Sequence, residues 1–436
     1  MISSDEQRVA ITGLGLISPL GNTPGQLHDS LMAGSSGVGP FRRYWNEEAP
    51  IRFGAEAWDF EGKIEDFGLL ADGVKKAIRK GLKLMCREIQ MGVASAQRAI
   101  ADARLEPATL EPSSMGVVFG CDHLLTSPEE FVAGFRTCMM AAPTPSAHWG
   151  DRGLGEVTPL WLLKYLPNMP ASHIAIYNDM RGPSNSLTYR EASSNISIAE
   201  SVQTIRRGSA QVMLAGATGG CLHPWRMLQL AMQYQLADAA GEPGRASRPF
   251  DHGRTGAVLG EGAATLVLEN WEHALARGAT IYGEVLGSGS SVALNRNSVA
   301  RADVAVQNAI AAALRAARLR PEQIDHLHAH GLGTDRADID EARGIAAVFG
   351  PDSRLPVVAA KSYFGNLGAA SGLVELMASL LACRSGQLFP TLNYEQIDPA
   401  CPLAVVTDNQ KSAGRVFLNL NVTTMGQAAA VIIRAQ

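Results

Sequence analysis

The sequence predicts an α/β fold, because short apolar, β-rich runs alternate along the whole chain with longer segments of helical periodicity. Length adds a second observation. At 436 residues, 46% of them hydrophobic, the chain exceeds one small core and suits two closely packed halves. The first run, RVAITGLGLI at 8–17, ends in glycines, and the runs at 115–119 (MGVVF), 211–215 (QVMLA), 264–268 (ATLVL) and 356–360 (PVVAA) share its character. They lack polar alternation, which predicts strands covered on both faces. Helical patterns fall between them at about 85–103, 192–207, 301–317, 338–348 and 369–384. The stretch 139–186, rich in Pro, Met, Asn and Trp, has no clear period and reads as an irregular cap or long loop over a site. A polar, Gly- and Pro-containing stretch near 235–255 reads as a seam between the halves.

Charge and composition exclude several classes. Lys and Arg number 38 against 42 Asp and Glu, a balance of −4, so no global basic field draws nucleic acid or anionic lipid. The N-terminus, MISSDEQR before VAITGLGLI, has no basic leader or long apolar core, which predicts a cytoplasmic protein. The longest apolar stretch, 367–383, is interrupted by Glu375 and by Gly and Ser residues, so it reads as a buried helix and not a membrane span. Cys86, Cys121, Cys138, Cys221, Cys383 and Cys401 have no CxxC spacing and read as buried reduced thiols; no metal site is expected. Gly13, Gly15 and Ser18 imitate a dinucleotide fingerprint, but the third glycine is missing and no acidic residue follows a second strand at the right distance. A P-loop, an HExxH and a GxSxG elbow are all absent from the sequence, which leaves ATP hydrolysis, zinc proteolysis and serine hydrolysis without their minimal parts.

Four segments together resemble the β-ketoacyl-carrier-protein synthase family, of the elongating type: ITGLGLISPLGN at 11–22, RPFDHGRTGAVLGEGA at 248–263, HAHGLGTDRADIDE at 328–341 and KSYFGNLGAASGLVE at 361–375. The second is the most specific match, and with Gly182-Pro183-Ser184 the resemblance spans essentially the whole chain. It implies a thiolase-type fold, two similar halves stacked as five α/β layers, here divided at 1–264 and 265–436. It also implies a dimer and a substrate delivered on the phosphopantetheine arm of an acyl carrier protein, with no other cofactor.

Counting from Gly182, the position of the family's nucleophilic cysteine is Glu191, in TYREASSNIS. A carboxylate is a poor nucleophile toward a thioester and would form a high-energy anhydride, so ordinary chain-transferring condensation is not expected. Two readings of Glu191 stand: an acidic residue in a helix's first turn, or a functional position. His330 matches the family's first histidine and is expected to donate a hydrogen bond to a thioester or enolate oxygen; His326 and His328, alternating with it, read as structural. Asn366 stands where the second histidine is expected, and its amide is still a neutral donor. Lys361 and Glu375, with Asp338 and Glu341, keep the family's spacing and are expected to form one buried charged network, either structural or catalytic. Thr334 and Thr424 are the hydroxyls left to bind substrate, since Leu332 replaces one paired threonine and NVTTMGQAA at 421–429 replaces the gating loop. Lys75, Lys76, Arg79, Lys80 and Lys83 recur at helical spacing; Arg79, Lys80 and Lys83 in particular could receive an acidic carrier protein, or the cluster is a solvated helix face.

Two functions follow. One is decarboxylation of malonyl-carrier protein, with His330 and Asn366 stabilising the enolate and a protonated Glu191 standing in for an acylated cysteine. The other is a non-catalytic partner resembling a chain-length factor, paired as a heterodimer with a cysteine-containing synthase. A third possibility, Glu191 as a general base in another reaction, has no substrate indicated by the sequence.

Overall fold

Strand β1 (Val9–Ile17) is buried along its whole length, and its glycines explain how. A Cβ at Gly13 would lie 2.4 Å from the Ala99 carbonyl oxygen and one at Gly15 2.1 Å from that of Ser95, so helix α1 (Arg87–Asp102) rests its backbone directly on the strand. The Gly-x-Gly that imitates a nucleotide fingerprint is a packing device. The computed structural model from which this follows describes residues 7–44, 51–141, 145–238 and 241–436.

After α1 the first half continues with β2 (Met115–Cys121), β3 (Ser184–Leu187), α2 (Ser193–Arg206), β4 (Val212–Gly220) and β5 (Glu261–Asn270). Its strands lie in the order β3-β2-β4-β5-β1, with β3, β2 and β4 parallel and β5 antiparallel to both its neighbours. The second half comprises β6 (Gly283–Val292), α3 (Ala302–Ala317), β7 (His326–His328), α4 (Asp335–Phe349), β8 (Pro356–Val358), α5 (Ser371–Ser385), β9 (Ala404–Val405), β10 (Val416–Val422) and β11 (Gln427–Ala435). It reads β8-β7-β10-β11-β6 with the same directions, and β9 is added beyond β8. Even the glycine device repeats: Gly289 on β6 would place a Cβ 2.4 Å from the Ala309 carbonyl oxygen of α3. The chain is therefore an internal duplication, joined where β1 and β6 pair antiparallel through Ala10–Glu284 and Ile11–Gly283.

Helices α2 and α5 lie between the two sets of strands, with α1 and α3 outside, which gives the five layers. Because α5 is covered nearly all round, it is mostly apolar, with Glu375 as its one buried charge; Leu373, Leu376, Met377 and Leu380 are fully buried, each worth about 1.5–3 kcal/mol. Helix α2 is instead rich in small polar residues that tie the halves together. Ser194 Oγ donates to the Ala369 carbonyl at 2.6 Å, and Asn195 Nδ2 donates to the Asn419 and Ala429 carbonyls at 3.1 and 2.9 Å.

Three expectations need correction. A boundary between residues 264 and 265 would cut β5; the link between halves is 271–282, where the helix Trp271–Ala276 leads to β6. The segment near 235–255 is a packing seam and not a chain junction: Phe250 sits in the second half's core, and Asp251 Oδ2 accepts the Glu395 and Gln396 amides at 2.6 and 2.7 Å. Within 139–186 the described residues form the end of the helix Glu129–Ala141, short turns, a helix, Met169–Asn178, and the start of β3, and none of them lines the cleft described below. Among the described residues no helix is long and apolar enough to cross a membrane.

Candidate active site

The duplication sets up the site. Glu191 immediately precedes α2 and Asn366 precedes α5, so the two buried helices bring their N-terminal approaches to one centre, one from each half. Arg190, before Glu191, has φ of 53°, a left-handed conformation that is costly for a side chain with a Cβ. This bends the chain sharply at the turn Arg190–Ala192 and delivers Glu191, 5% exposed, to the start of α2, where the helix dipole favours negative charge.

Asn366 donates from Nδ2 to Glu191 Oε1 at 3.0 Å, and Glu191 Oε2 lies 3.8 Å from Arg190 Nε. The RPFDHGRTGAVLGEGA segment braces the asparagine. Its backbone N–H donates to the Val258 carbonyl at 2.8 Å, and its carbonyl accepts from Gly260 N at 2.9 Å. Gly365, at φ 64°, is required there, since a Cβ would meet the Val258 carbonyl oxygen at 2.5 Å.

His330 lies just past β7. Its Nδ1 is 3.1 Å from Lys361 Nζ, and Lys361 is ion-paired with Glu375, which also accepts from Asn421 Nδ2 at 3.0 Å. An ammonium can only donate, so this network assigns Nδ1 as acceptor and leaves the proton on Nε2. Burial, and then the Lys361 charge, push the His330 imidazolium well below the usual histidine range, so the ring is a neutral N–H donor.

Asp338 and Glu341 are buried near this pair, and Glu341 reaches it through His330, whose backbone it holds while Lys361 holds its ring. Both carboxylates hold the loop's backbone. Glu341 accepts from His330 N at 2.6 Å and Gly331 N at 2.8 Å; Asp338 accepts from Phe250 N at 2.8 Å and Gly333 N at 2.9 Å. Burial pushes Glu341 up to about 8 and Asp338 up to about 6, although these N–H donors pull both the other way.

A cleft of about 660 Å³ reaches His330, and Thr334 and Thr424 both line it. So does Tyr234, whose hydroxyl stands 3.5 Å from Asn366 Nδ2, between the cleft and Glu191. Sequence reading missed Tyr234, and it missed Asp122 and Arg226, a buried pair 3.2 Å apart beside Glu191. Burial raises the Asp122 carboxyl against the pull of Arg226, and the Glu191 charge adds to the rise. The one sequence signal was a carboxylate directly after the all-buried strand β2. Arg79, Lys80 and Lys83 are exposed, on and just after the helix Asp72–Gly81, outside the cleft.

Comparison with known proteins shows the family and the fold. The family model for the β-ketoacyl synthase N-terminal domain matches residues 6–274, and that for its C-terminal domain matches 282–395. A 3-oxoacyl-[acyl-carrier-protein] synthase 2 of Synechocystis sp. is 31% identical over 94% of this chain and 94% of its own length. The crystal structure of a β-ketoacyl synthase from Burkholderia phymatum superposes with a TM-score of 0.84 at 28% identity, over 99% of this chain and 100% of that one. The ishigamide ketosynthase/chain length factor superposes with a TM-score of 0.82, also at 28% identity, over 99% of this chain and 100% of that one. In sequence and in fold, the chain belongs to the β-ketoacyl synthase family.

Proposed function

We propose that this protein acts on thioesters carried by an acyl carrier protein and decarboxylates a malonyl group, without cysteine-dependent condensation. The observation that carries this reading is the neutral His330, whose Nδ1 is engaged by Lys361 and whose free Nε2–H belongs to a residue lining the cleft. That N–H and the Asn366 amide would receive the thioester oxygen as the bond to the departing carboxylate breaks. Its electron pair moves into the enolate, carbon dioxide leaves, and a solvent proton on the α-carbon completes acetyl-carrier protein. One such donor is typically worth about 10²–10³ in rate. Thr334 and Thr424, which line the cleft, would bind the pantetheine arm, and the exposed Arg79, Lys80 and Lys83 would receive an acidic carrier. A homodimer is part of the proposal: β3 is an edge strand, and the first half exposes Phe135, Ile176, Tyr189 and Met232.

A specific contact favours a second reading. Asn366 spends its amide on Glu191, which suits a partner subunit with a retired site, paired with a cysteine-containing synthase. Mass spectrometry of malonyl-carrier protein incubated with the wild-type chain, Glu191→Ala and His330→Ala separates the two. Acetyl-carrier protein formed by the wild type and lost in both variants supports the decarboxylase. No turnover by the wild type, with a heterodimer on co-expression, supports the partner.

A further inference from the structure

The reading above leaves the buried Asp122–Arg226 pair unused. Arg226 Nη2 lies 3.2 Å from Asp122 Oδ1, and the two residues are only 6% and 7% exposed. Their place in the fold is tightly set. Asp122 follows β2, whose Gly120 packs so closely on the start of α2 that a Cβ there would come 2.6 Å from Ser193 Cβ. Its Oδ2 lies 2.8 Å from where Gly368 would carry a Cβ, two residues past Asn366, and Cys221 Sγ lies 3.3 Å from the same point. Asp122, Arg226 and Cys221 do not line the cleft that reaches His330 and Tyr234. Beside Glu191, and outside the cleft, the protein has buried a pair of charges.

We propose that the Asp122–Arg226 pair closes the interior beside Glu191 to apolar groups, so that the site admits short, polar acyl groups of the malonyl kind and excludes longer alkyl chains. An alkyl chain offers neither member of the pair a hydrogen bond, and separating two buried charges to admit it leaves both uncompensated. The pair is a specificity-determining element and takes no part in bond breaking. The inference rests on the reading that the carrier arm enters through the cleft; it does not depend on decarboxylation.

Glu191→Cys supplies the test in the full-length protein. Its alkylation by iodoacetamide and by N-octyl iodoacetamide is followed by mass spectrometry of the peptide carrying residue 191. The short reagent should react faster by about a hundredfold, and Glu191→Cys/Asp122→Ala/Arg226→Ala should shrink that ratio to within about threefold. Equal rates in Glu191→Cys, or a ratio unchanged in the triple variant, would overturn the proposal, as would no labelling by either reagent. Should the triple variant fail to fold, the ratio in Glu191→Cys decides alone. Because the readout needs neither carrier protein nor turnover, its failure is distinguishable from failure of the decarboxylase reading.

Discussion

Lys361 and Glu375 are ion-paired with side chains 1% and 0% exposed, so replacing Lys361 by methionine strands a carboxylate with no water to receive it. Breaking a buried pair from one side costs about 3–5 kcal/mol, whereas removing both charges costs much less. Lys361→Met should therefore lower unfolding free energy by about that amount, and Lys361→Met/Glu375→Gln should recover all but about 1–2 kcal/mol, keeping the contact to Asn421. Urea titrations followed by tryptophan fluorescence give the comparison. The pH dependence has a definite sign. Burial already holds Glu375 above its usual range, and a group raised in the folded state contributes stability at low pH that is lost as pH rises. The deficit of Lys361→Met should thus shrink toward about pH 5 and be largest above neutrality. A double variant as unstable as the single one, or a single variant within about 1 kcal/mol of wild type, would refute the assignment of this pair as a mutually compensating buried contact.

Other outcomes follow from the same geometry. His330→Ala should lower malonyl decarboxylation by about 10²–10³ in kcat with little change in carrier-protein affinity, measured by acetyl-carrier formation and by titration calorimetry. Glu191→Gln keeps an acceptor for Asn366 and matches a protonated glutamate in charge and shape, so acetyl-carrier formation should stay within about threefold of wild type; a large fall would show that the anion itself is used. Arg79→Glu/Lys80→Glu should weaken carrier-protein binding by about tenfold at low salt and much less at high salt, read by surface plasmon resonance. Glu341 and Asp338 are raised to about 8 and about 6, so stability present below the usual carboxylate range is lost as pH climbs through those values. The wild-type urea midpoint should fall between about pH 5 and about pH 9, and Glu341→Gln should flatten that slope.

Much of this was legible because it is local. Buried strands announce themselves by continuous apolar runs, and 115–119 and 356–360 became β2 and β8 within a few residues. Glu191, His330 and Asn366 each sit in a segment whose turn residues mark it. The boundary at 264 failed because β5 stays buried to Leu268 and beyond, so nothing in its first four residues signals where the half ends. Tyr234, Asp122 and Arg226 were invisible for another reason: their meaning lies in distances across the fold, and a tyrosine or an arginine in a polar stretch has no period to betray it. Which backbone amides Asp338 and Glu341 hold likewise depends on distances across the fold.

The duplicated halves have divided the labour of the site between them. The first repeat contributes the position at which an acyl group would be held, through Glu191; the second contributes the donors that could polarise a carbonyl, through His330 and Asn366, with Lys361 in support. A single substitution in the first repeat can therefore silence group transfer while His330 keeps its contact with Lys361 in the second. Such a molecule is poised to become a specialist in one half-reaction.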